Sequence, residues 1–132
     1  MLDTDTCSYI LKRKPASVLA RFESSAAQGI CVSHVTRTEL VFGAERHPTR
    51  SVEIRSIVDE LLRRLDVLTW DASDAYASIR TRLERRGEQI GNMDMLIAAH
   101  AMSIGATLVT NNRRHFERVE GLVIETWVDD PA

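Results

Sequence analysis

Short apolar runs that alternate with longer helical segments are the feature that most restricts how this chain can fold. The runs lie at 1–2, 30–32, 66–70, 106–110 and 122–126. Each is short enough for a strand, and the segments between them carry apolar residues at helical spacing. Strands that alternate with helices favour a parallel sheet covered on both faces. The sequence therefore predicts an α/β fold with a small parallel β-sheet sandwiched by α-helices.

Capping and breaking residues set the expected limits of the helices. Thr4 or Asp5 is the expected cap of the first helix, and Pro15 is the expected first residue of the second. Ser33 follows the run 30–32 and is expected to cap a third helix. Further helices are expected at 52–65, 71–86 and 92–103. The last of these is apolar on most of its faces, which is typical of a buried helix.

Length and charge exclude several classes of protein. The chain has 132 residues, enough for one core, and we predict a single domain over residues 1–132. Its 17 Lys and Arg against 19 Asp and Glu are not the balance of a generally basic nucleic-acid binder. Cys7 and Cys31 lack metal-ligand spacing. With no secretory pattern and no run approaching the roughly 18 residues of a membrane span, a cytoplasmic protein without membrane association is expected.

Three acidic residues from distant parts of the chain are expected at one edge of the sheet. Asp3 follows the first run, Glu39 lies within two turns of the third helix's start, and Asp94 lies in the first turn of the apolar helix. The carboxyl ends of parallel strands meet at one edge, where α/β proteins keep their sites. Carboxylates gathered there repel one another unless a cation lies between them, and hard oxygen ligands select Mg²⁺ or Mn²⁺. The pattern predicts a metal site built from Asp3, Glu39 and Asp94.

Three further residues are candidates for the same cleft. Asn112 follows the run 106–110, and its amide oxygen can bind a cation or accept a hydrogen bond without supplying charge. Asp5 can add negative charge to the cleft, although an acid at this position also serves as a helix cap. Thr110 can position a water molecule, although threonine at the end of a strand is usually structural. His100, on the apolar helix, is expected to be buried and hydrogen-bonded.

Four groups of residues occur in order along nearly the whole chain. They are Met-Leu-Asp3-Thr-Asp5, Val35 to Leu40 with Gly43-Ala44-Glu45, Ile90 to Asp94 with Ile97 to Ala101, and Leu108 to Asn112 with Phe116. Together they resemble the PIN-domain ribonucleases and, more closely, the VapC toxins of bacterial type II toxin–antitoxin pairs. The resemblance implies a PIN-like fold and Mg²⁺- or Mn²⁺-dependent cleavage of RNA, with Asp3, Glu39 and Asp94 as the metal-binding acids. The usual fourth motif has aspartate where this chain has Asn112.

The same resemblance implies the partners of the protein. A cognate VapB antitoxin would block the cleft, operator DNA would be bound only through the antitoxin complex, and the toxin would form a homodimer or a higher assembly. Transfer RNA is the expected substrate, with the anticodon loop of the initiator transfer RNA as the specific expectation.

Arginines are the expected contacts for the RNA phosphates. Arg113 and Arg114 lie beside the expected cleft, whereas Arg82 and Arg86 flank a helix whose basic side is equally explained as an exposed face. His115 is a weaker candidate for a phosphate contact and is expected at the surface.

Two other functions compete with the ribonuclease. A PIN module weakened by Asn112 would act mainly as an antitoxin-bound transcriptional co-repressor. Asp3-Thr4-Asp5 also imitates the nucleophile pair of the haloacid-dehalogenase phosphatases. That chemistry needs a downstream lysine, and Lys14 is the last lysine in the sequence, so the phosphatase is set aside.

Overall fold

The computed structural model describes residues 1–129, and within them seven α-helices surround four short parallel strands. The strands are β1 (Cys31–Ser33), β2 (Asp66–Leu68), β3 (Leu108–Val109) and β4 (Ile124–Glu125). The helices are α1 (Thr4–Lys12), α2 (Ala16–Ser25), α3 (His34–Glu45), α4 (Ser51–Arg63), α5 (Ser73–Arg85), α6 (Asn92–Ser103) and α7 (Arg113–Phe116). No helix in the described range has the length and apolar character needed to cross a membrane.

The N-terminal segment lies in the middle of the sheet and joins its two halves. β1 pairs in parallel with β2, and β3 pairs in parallel with β4. Leu2 forms parallel bridges to both Val32 of β1 and Val109 of β3. The Leu2 N–H donates to the Cys31 carbonyl at 2.9 Å, and the Val109 N–H donates to the Met1 carbonyl at 2.8 Å. The sheet order is therefore β2, β1, the segment around Leu2, β3 and β4, which confirms the predicted α/β fold.

Alternate residues of the central segments enter two different cores, as the two-residue period of extended chain requires. Leu2, Val32 and Val109 belong to the core that α1 to α4 cover. Met1 and Leu108 belong to the core that α5, α6 and α7 cover. The sheet is thus sandwiched between two helical layers. α6 is apolar on nearly all sides because it is the most deeply buried helix, with residues 97–101 all buried.

Several element boundaries differ from the sequence-based expectations. Asp3, rather than Thr4 or Asp5, caps α1, because its carboxylate accepts the Thr6 N–H at 2.8 Å while Thr4 is already helical. Pro15 occupies the cap position of α2 rather than its first helical residue. β1 lies one residue later than predicted, and α5 begins at Ser73 instead of residue 71. Ser33 does cap α3, accepting the Val35 N–H.

The burial of the central strand predicts a large effect of shortening Val32. Val32→Ala removes two carbon atoms from a fully buried position and leaves a cavity between β1 and the helices above it. We expect a loss of about 2 kcal/mol or more in the free energy of unfolding, measured by urea denaturation. The same change at Val123, which is 62% exposed, is the matched control and should cost less than about 0.5 kcal/mol. Equal losses in the two variants would contradict the placement of the core.

Candidate active site

Asp3 is a buried carboxylate at the carboxyl end of the central segment, only 3% exposed. Its Oδ1 accepts the Thr6 N–H at 2.8 Å, and the Thr110 side chain lies within hydrogen-bonding reach. Burial raises the pKa of Asp3 from 3.8 to about 6, although hydrogen bonds from Thr110 and Thr6 act in the opposite direction. The nearby charge of Asp5 raises this pKa further. The site therefore contains an acid whose ionised form is costly in the folded protein.

Glu39 lies half-buried on α3 and is held by the first residue of α1. The Thr4 hydroxyl donates to Oε1 of Glu39 at 2.5 Å, and it also lies 3.4 Å from the Thr36 hydroxyl. An acid inside a largely apolar helix needs such a partner when water is excluded. The contact fixes the carboxylate of α3 against the N-terminal end of α1, next to Asp3.

Asp94 lies half-buried in the first turn of α6, where the helix dipole favours a negative charge. Burial raises the pKa of Asp94, and the charges of Glu39 and Asp5 raise it further. The neighbouring His115, whose Nδ1 lies 3.9 Å from Oδ2 of Asp94, acts in the opposite direction. Asp94, Glu39 and exposed Asp5 therefore share one electrostatic environment, although they come from different helices.

The acids lie at the same edge, but their side chains do not converge on one point. Within residues 1–129, no three side chains of His, Cys, Asp or Glu lie close enough to hold a metal ion together. Asp3 and Glu39 instead bind the threonines and backbone around them. In the same residues, no arginine or lysine lies within 4.0 Å of Asp3, Asp5, Glu39 or Asp94. The edge is consequently negative and without basic partners other than His115.

The residues after β3 complete this edge. Thr110 is fully buried, and its Oγ1 accepts the Asn112 N–H at 2.9 Å. The side-chain amide of Asn112 lies 2.9 Å from Nδ1 of His115. The interpretation of His115 as a surface residue was incomplete, because the ring is half-buried between Asn112 and Asp94. Its position three residues after Asn112, one helical turn away, is the sequence signal that indicates this contact.

The structure separates the two pairs of candidate arginines. Arg113 and Arg114 are exposed on α7, which begins directly after Asn112. Arg82 and Arg86 instead line a separate cavity of about 80 Å³, whose walls include none of the four acids of the sheet edge. Arg82 lies 3.8 Å from Glu120 there. Only the α7 pair therefore lies next to the acidic edge.

His100 is buried on α6 and bonds to the hydroxyl of Ser33, as expected for a structural histidine. Its Nδ1 lies 2.8 Å from Oγ of Ser33, and burial lowers its pKa. This contact ties α6 to the end of β1 across the sheet.

A large groove opens beside Glu39 between α1, α3 and α4. Its volume is about 980 Å³, and its lining includes Thr4 and Glu39 together with the apolar Phe42, Ile57 and Met93. Phe42 is 62% exposed and Met93 is 46% exposed. Phe42 lies on the exposed side of α3 and borders the groove rather than the core. The acidic edge is thus continuous with an exposed apolar surface.

Comparison with known proteins places this geometry in a family. Residues 1–122 match the PIN domain family. The chain is 44% identical to the tRNA(fMet)-specific endonuclease VapC of Shigella flexneri over 96% of both chains, and 41% identical to ribonuclease VapC2 of Haemophilus influenzae over 97% of both.

Solved structures give the same result at the level of the fold. VapBC2 of Rickettsia felis, bound to a promoter DNA fragment, superposes with a TM-score of 0.91 at 36% identity and covers 97% of this chain and 98% of that one. DNA-bound VapBC of Salmonella typhimurium gives a TM-score of 0.91 at 39% identity over 97% of both chains. With the motifs, the sheet order and these likenesses in agreement, the chain belongs to the PIN-domain family, among the VapC ribonucleases of toxin–antitoxin pairs.

Proposed function

We propose that this protein is a toxin that cleaves RNA internally by a reaction dependent on Mg²⁺ or Mn²⁺. The observation that carries the proposal is a sheet edge whose four carboxylates have, among residues 1–129, no arginine or lysine within 4.0 Å. Burial raises the pKa of Asp94 and the charges of Glu39 and Asp5 raise it further, which supports a cluster of acids close enough to affect one another. A cluster built only for structure would more simply be neutralised by arginine, as the surface acids Glu53 and Glu84 are.

The residues present fit a hard divalent cation. Carboxylate and amide oxygens are the ligands that Mg²⁺ and Mn²⁺ prefer, and Asp3, Glu39 and Asp94 would hold the ion with Asn112 nearby. When bound, such an ion supplies positive charge that stabilises a phosphate under attack and makes a water molecule more acidic. Binding would require the carboxylates of Glu39 and Asp94 to turn toward a shared point, because no three such side chains of residues 1–129 lie close enough at present to hold an ion.

The chain's own residues orient the acids and the substrate. The Thr6 N–H and the Thr110 side chain fix Asp3, and the Thr4 hydroxyl fixes Glu39. Arg113 and Arg114 on α7 would bind phosphates that flank the cleaved bond, because exposed arginines beside a cleft position a nucleic-acid backbone without reading its sequence. Asp5, exposed at the start of α1, would act only through its charge.

Transfer RNA is the substrate that we propose, with the anticodon loop of the initiator transfer RNA as the specific target. Support comes from the relative in Shigella flexneri, which is named a tRNA(fMet)-specific endonuclease. Unpaired nucleotides in a loop expose both their base edges and their backbone to a protein. A small open cleft requires nucleotides that are accessible in this way. The reaction would take place in the cytoplasm.

A VapB antitoxin is the proposed occupant of the groove beside Glu39. The structural neighbours include VapBC structures, and those from Rickettsia felis and Salmonella typhimurium are bound to DNA. An apolar segment of the antitoxin would cover Phe42 and Met93 and so close the acidic edge, as an amphipathic helix does in an apolar groove. Operator DNA would then be bound through the antitoxin alone, by a homodimer or a higher toxin–antitoxin assembly.

Replacement of Asp94 tests the proposed reaction. Asp94→Asn removes one charged oxygen ligand, and we expect transfer RNA cleavage in Mg²⁺ or Mn²⁺ to fall by about 100-fold or more. Asp74→Asn is the matched control, because Asp74 occupies the first turn of α5 and is exposed. Cleavage that survives Asp94→Asn, or that continues in excess chelator, would refute the metal-dependent mechanism. A chain that cleaves no RNA but represses its operator with the antitoxin would favour the co-repressor alternative.

Replacement of Phe42 tests the proposed antitoxin groove. Phe42→Ala removes an exposed aromatic side chain from the groove wall, and we expect antitoxin affinity measured by calorimetry to fall roughly 30-fold. Val123→Ala, at an equally exposed position outside the groove, should leave the affinity unchanged. Unchanged affinity in Phe42→Ala, with the variant still folded, would assign the antitoxin to another surface.

A further inference from the structure

A small cavity between α5 and the residues that follow α7 is bordered by three arginines. Its volume is about 80 Å³, and Arg82, Arg86 and Arg118 line it together with Ser78. One acid, Glu120, also belongs to the walls, and the other lining residues are apolar. Since the arginine side chain is not deprotonated in proteins, these three positive charges do not depend on pH.

Backbone carbonyls hold two of these guanidinium groups in place. Nη2 of Arg86 donates to the Arg118 carbonyl at 2.5 Å, and Nη1 of Arg118 donates to the Gln89 carbonyl at 2.6 Å. Each contact uses one of the five N–H donors of a guanidinium group. A neutral carbonyl therefore fixes the position of each group without cancelling its charge.

Carboxylates neutralise these arginines only in part. Arg118 is half-buried, yet among residues 1–129 no carboxylate lies within 4.0 Å of its guanidinium group. Arg82 lies 3.8 Å from Glu120, and Arg86 lies 3.3 Å from Glu88. Both separations are longer than the 2.9 Å or less, roughly, of a charge-assisted hydrogen bond. The opening of the cavity consequently keeps positive charge that an anion can bind.

The short helix α7 connects this cavity to the acidic edge. Arg118 follows Asn112 by six residues, so their Cα atoms are at most about 22 Å apart. Arg113 and Arg114 lie between them and are exposed on α7. A nucleic-acid strand that crosses the acidic edge and continues along α7 would therefore reach the cavity within several nucleotides.

We propose that Arg82, Arg86 and Arg118 form a second phosphate site, which binds the RNA backbone away from the cleaved bond. The inference deepens the proposed function and rests on its RNA substrate. A planar guanidinium group binds two oxygens of one phosphate through parallel N–H donors, and the Ser78 hydroxyl can donate a further hydrogen bond. Such contacts add affinity without reading sequence. The site thus favours a long RNA over a fragment that cannot reach it.

Binding to initiator transfer RNA tests the site, measured by fluorescence anisotropy in the Asp94→Asn background so that the RNA stays intact. Arg86→Ala and Arg118→Ala should each raise Kd about fivefold or more and reduce the slope of log Kd against log salt by roughly 0.7 to 0.9. Arg82 has no part in the two backbone contacts, so Arg82→Ala tests the site even if the other changes disturb the fold. Arg63→Ala removes the same charge from exposed α4 and is the matched control.

Cleavage by chains with an intact Asp94 provides the second measurement. Arg82→Ala and Arg118→Ala should raise KM for initiator transfer RNA about fivefold while kcat changes less than about twofold, because the site binds substrate and reacting groups equally before and during cleavage. With a short oligonucleotide that contains the cleaved bond but cannot reach the cavity, both constants should match those of the wild-type chain.

Three results would overturn this inference. One is wild-type cleavage of transfer RNA together with an affinity and salt slope in the cavity variants that equal those of Arg63→Ala, in which case the proposed function stands. Another is an equal loss on the short oligonucleotide, because it assigns the effect to the cleft or to the fold. The third is weaker binding of an antitoxin with unchanged binding of transfer RNA, which assigns the arginines to a protein partner.

Failure of the proposed function gives a different pattern. If the wild-type chain binds transfer RNA through these arginines but cleaves none, the function fails and the second phosphate site stands. Absence of both binding and cleavage would overturn both.

Discussion

The placement of acidic side chains in a partly buried edge of a small sheet is the constraint on which the rest of this structure depends. Burial disfavours the ionised forms of Asp3 and Asp94, and nearby acidic charges, from Asp5 at both and from Glu39 at Asp94, add a smaller effect in the same direction. The protein supplies only partial compensation through threonine side chains, backbone N–H groups and one imidazole. Arginine pairs with acids elsewhere on the surface, yet in the described part of the chain none lies within 4.0 Å of these acids. Such an arrangement costs stability in the folded chain, and the proposed divalent cation would offset this cost.

The central position of the N-terminal segment is what makes the arrangement rigid. Leu2 pairs with strands on both sides, and Met1 and Leu2 enter opposite cores. Asp3 follows immediately and also caps α1, so its carboxylate cannot move without disturbing the sheet or the helix. The same short segment therefore closes the sheet, starts the first helix and positions one acid of the site. The neighbouring groove places an exposed apolar surface beside Glu39.

Much of this fold and site follows from the sequence, and the remainder depends on packing that no local pattern contains. Apolar runs and helical periodicity predicted the parallel sheet, and the order of the motifs predicted that Asp3, Glu39 and Asp94 belong to one edge. The exposure of Phe42 was not predictable. Helical spacing identifies the apolar positions of α3, but it does not show which of them α4 covers. The position of Arg82 and Arg86 depends on where α5 ends relative to residues 118–120. The contact between Asn112 and His115 depends on an Asn112 side chain that does not cap α7, which the local sequence does not specify.

The most direct test of the central claim is the pH dependence of unfolding for Asp3→Asn against the wild-type chain in chelator. The pKa of Asp3 is about 6 in the folded chain and near 3.8 when unfolded, so ionisation costs roughly 3 kcal/mol above pH 6 and nothing below pH 4. The account predicts that the variant gains stability over the wild type, up to about that amount, as the pH rises from about 4 to 7. Added Mn²⁺ should stabilise the wild type and remove the difference. A variant that is no more stable at neutral pH, or a difference that does not change with pH, would contradict the account.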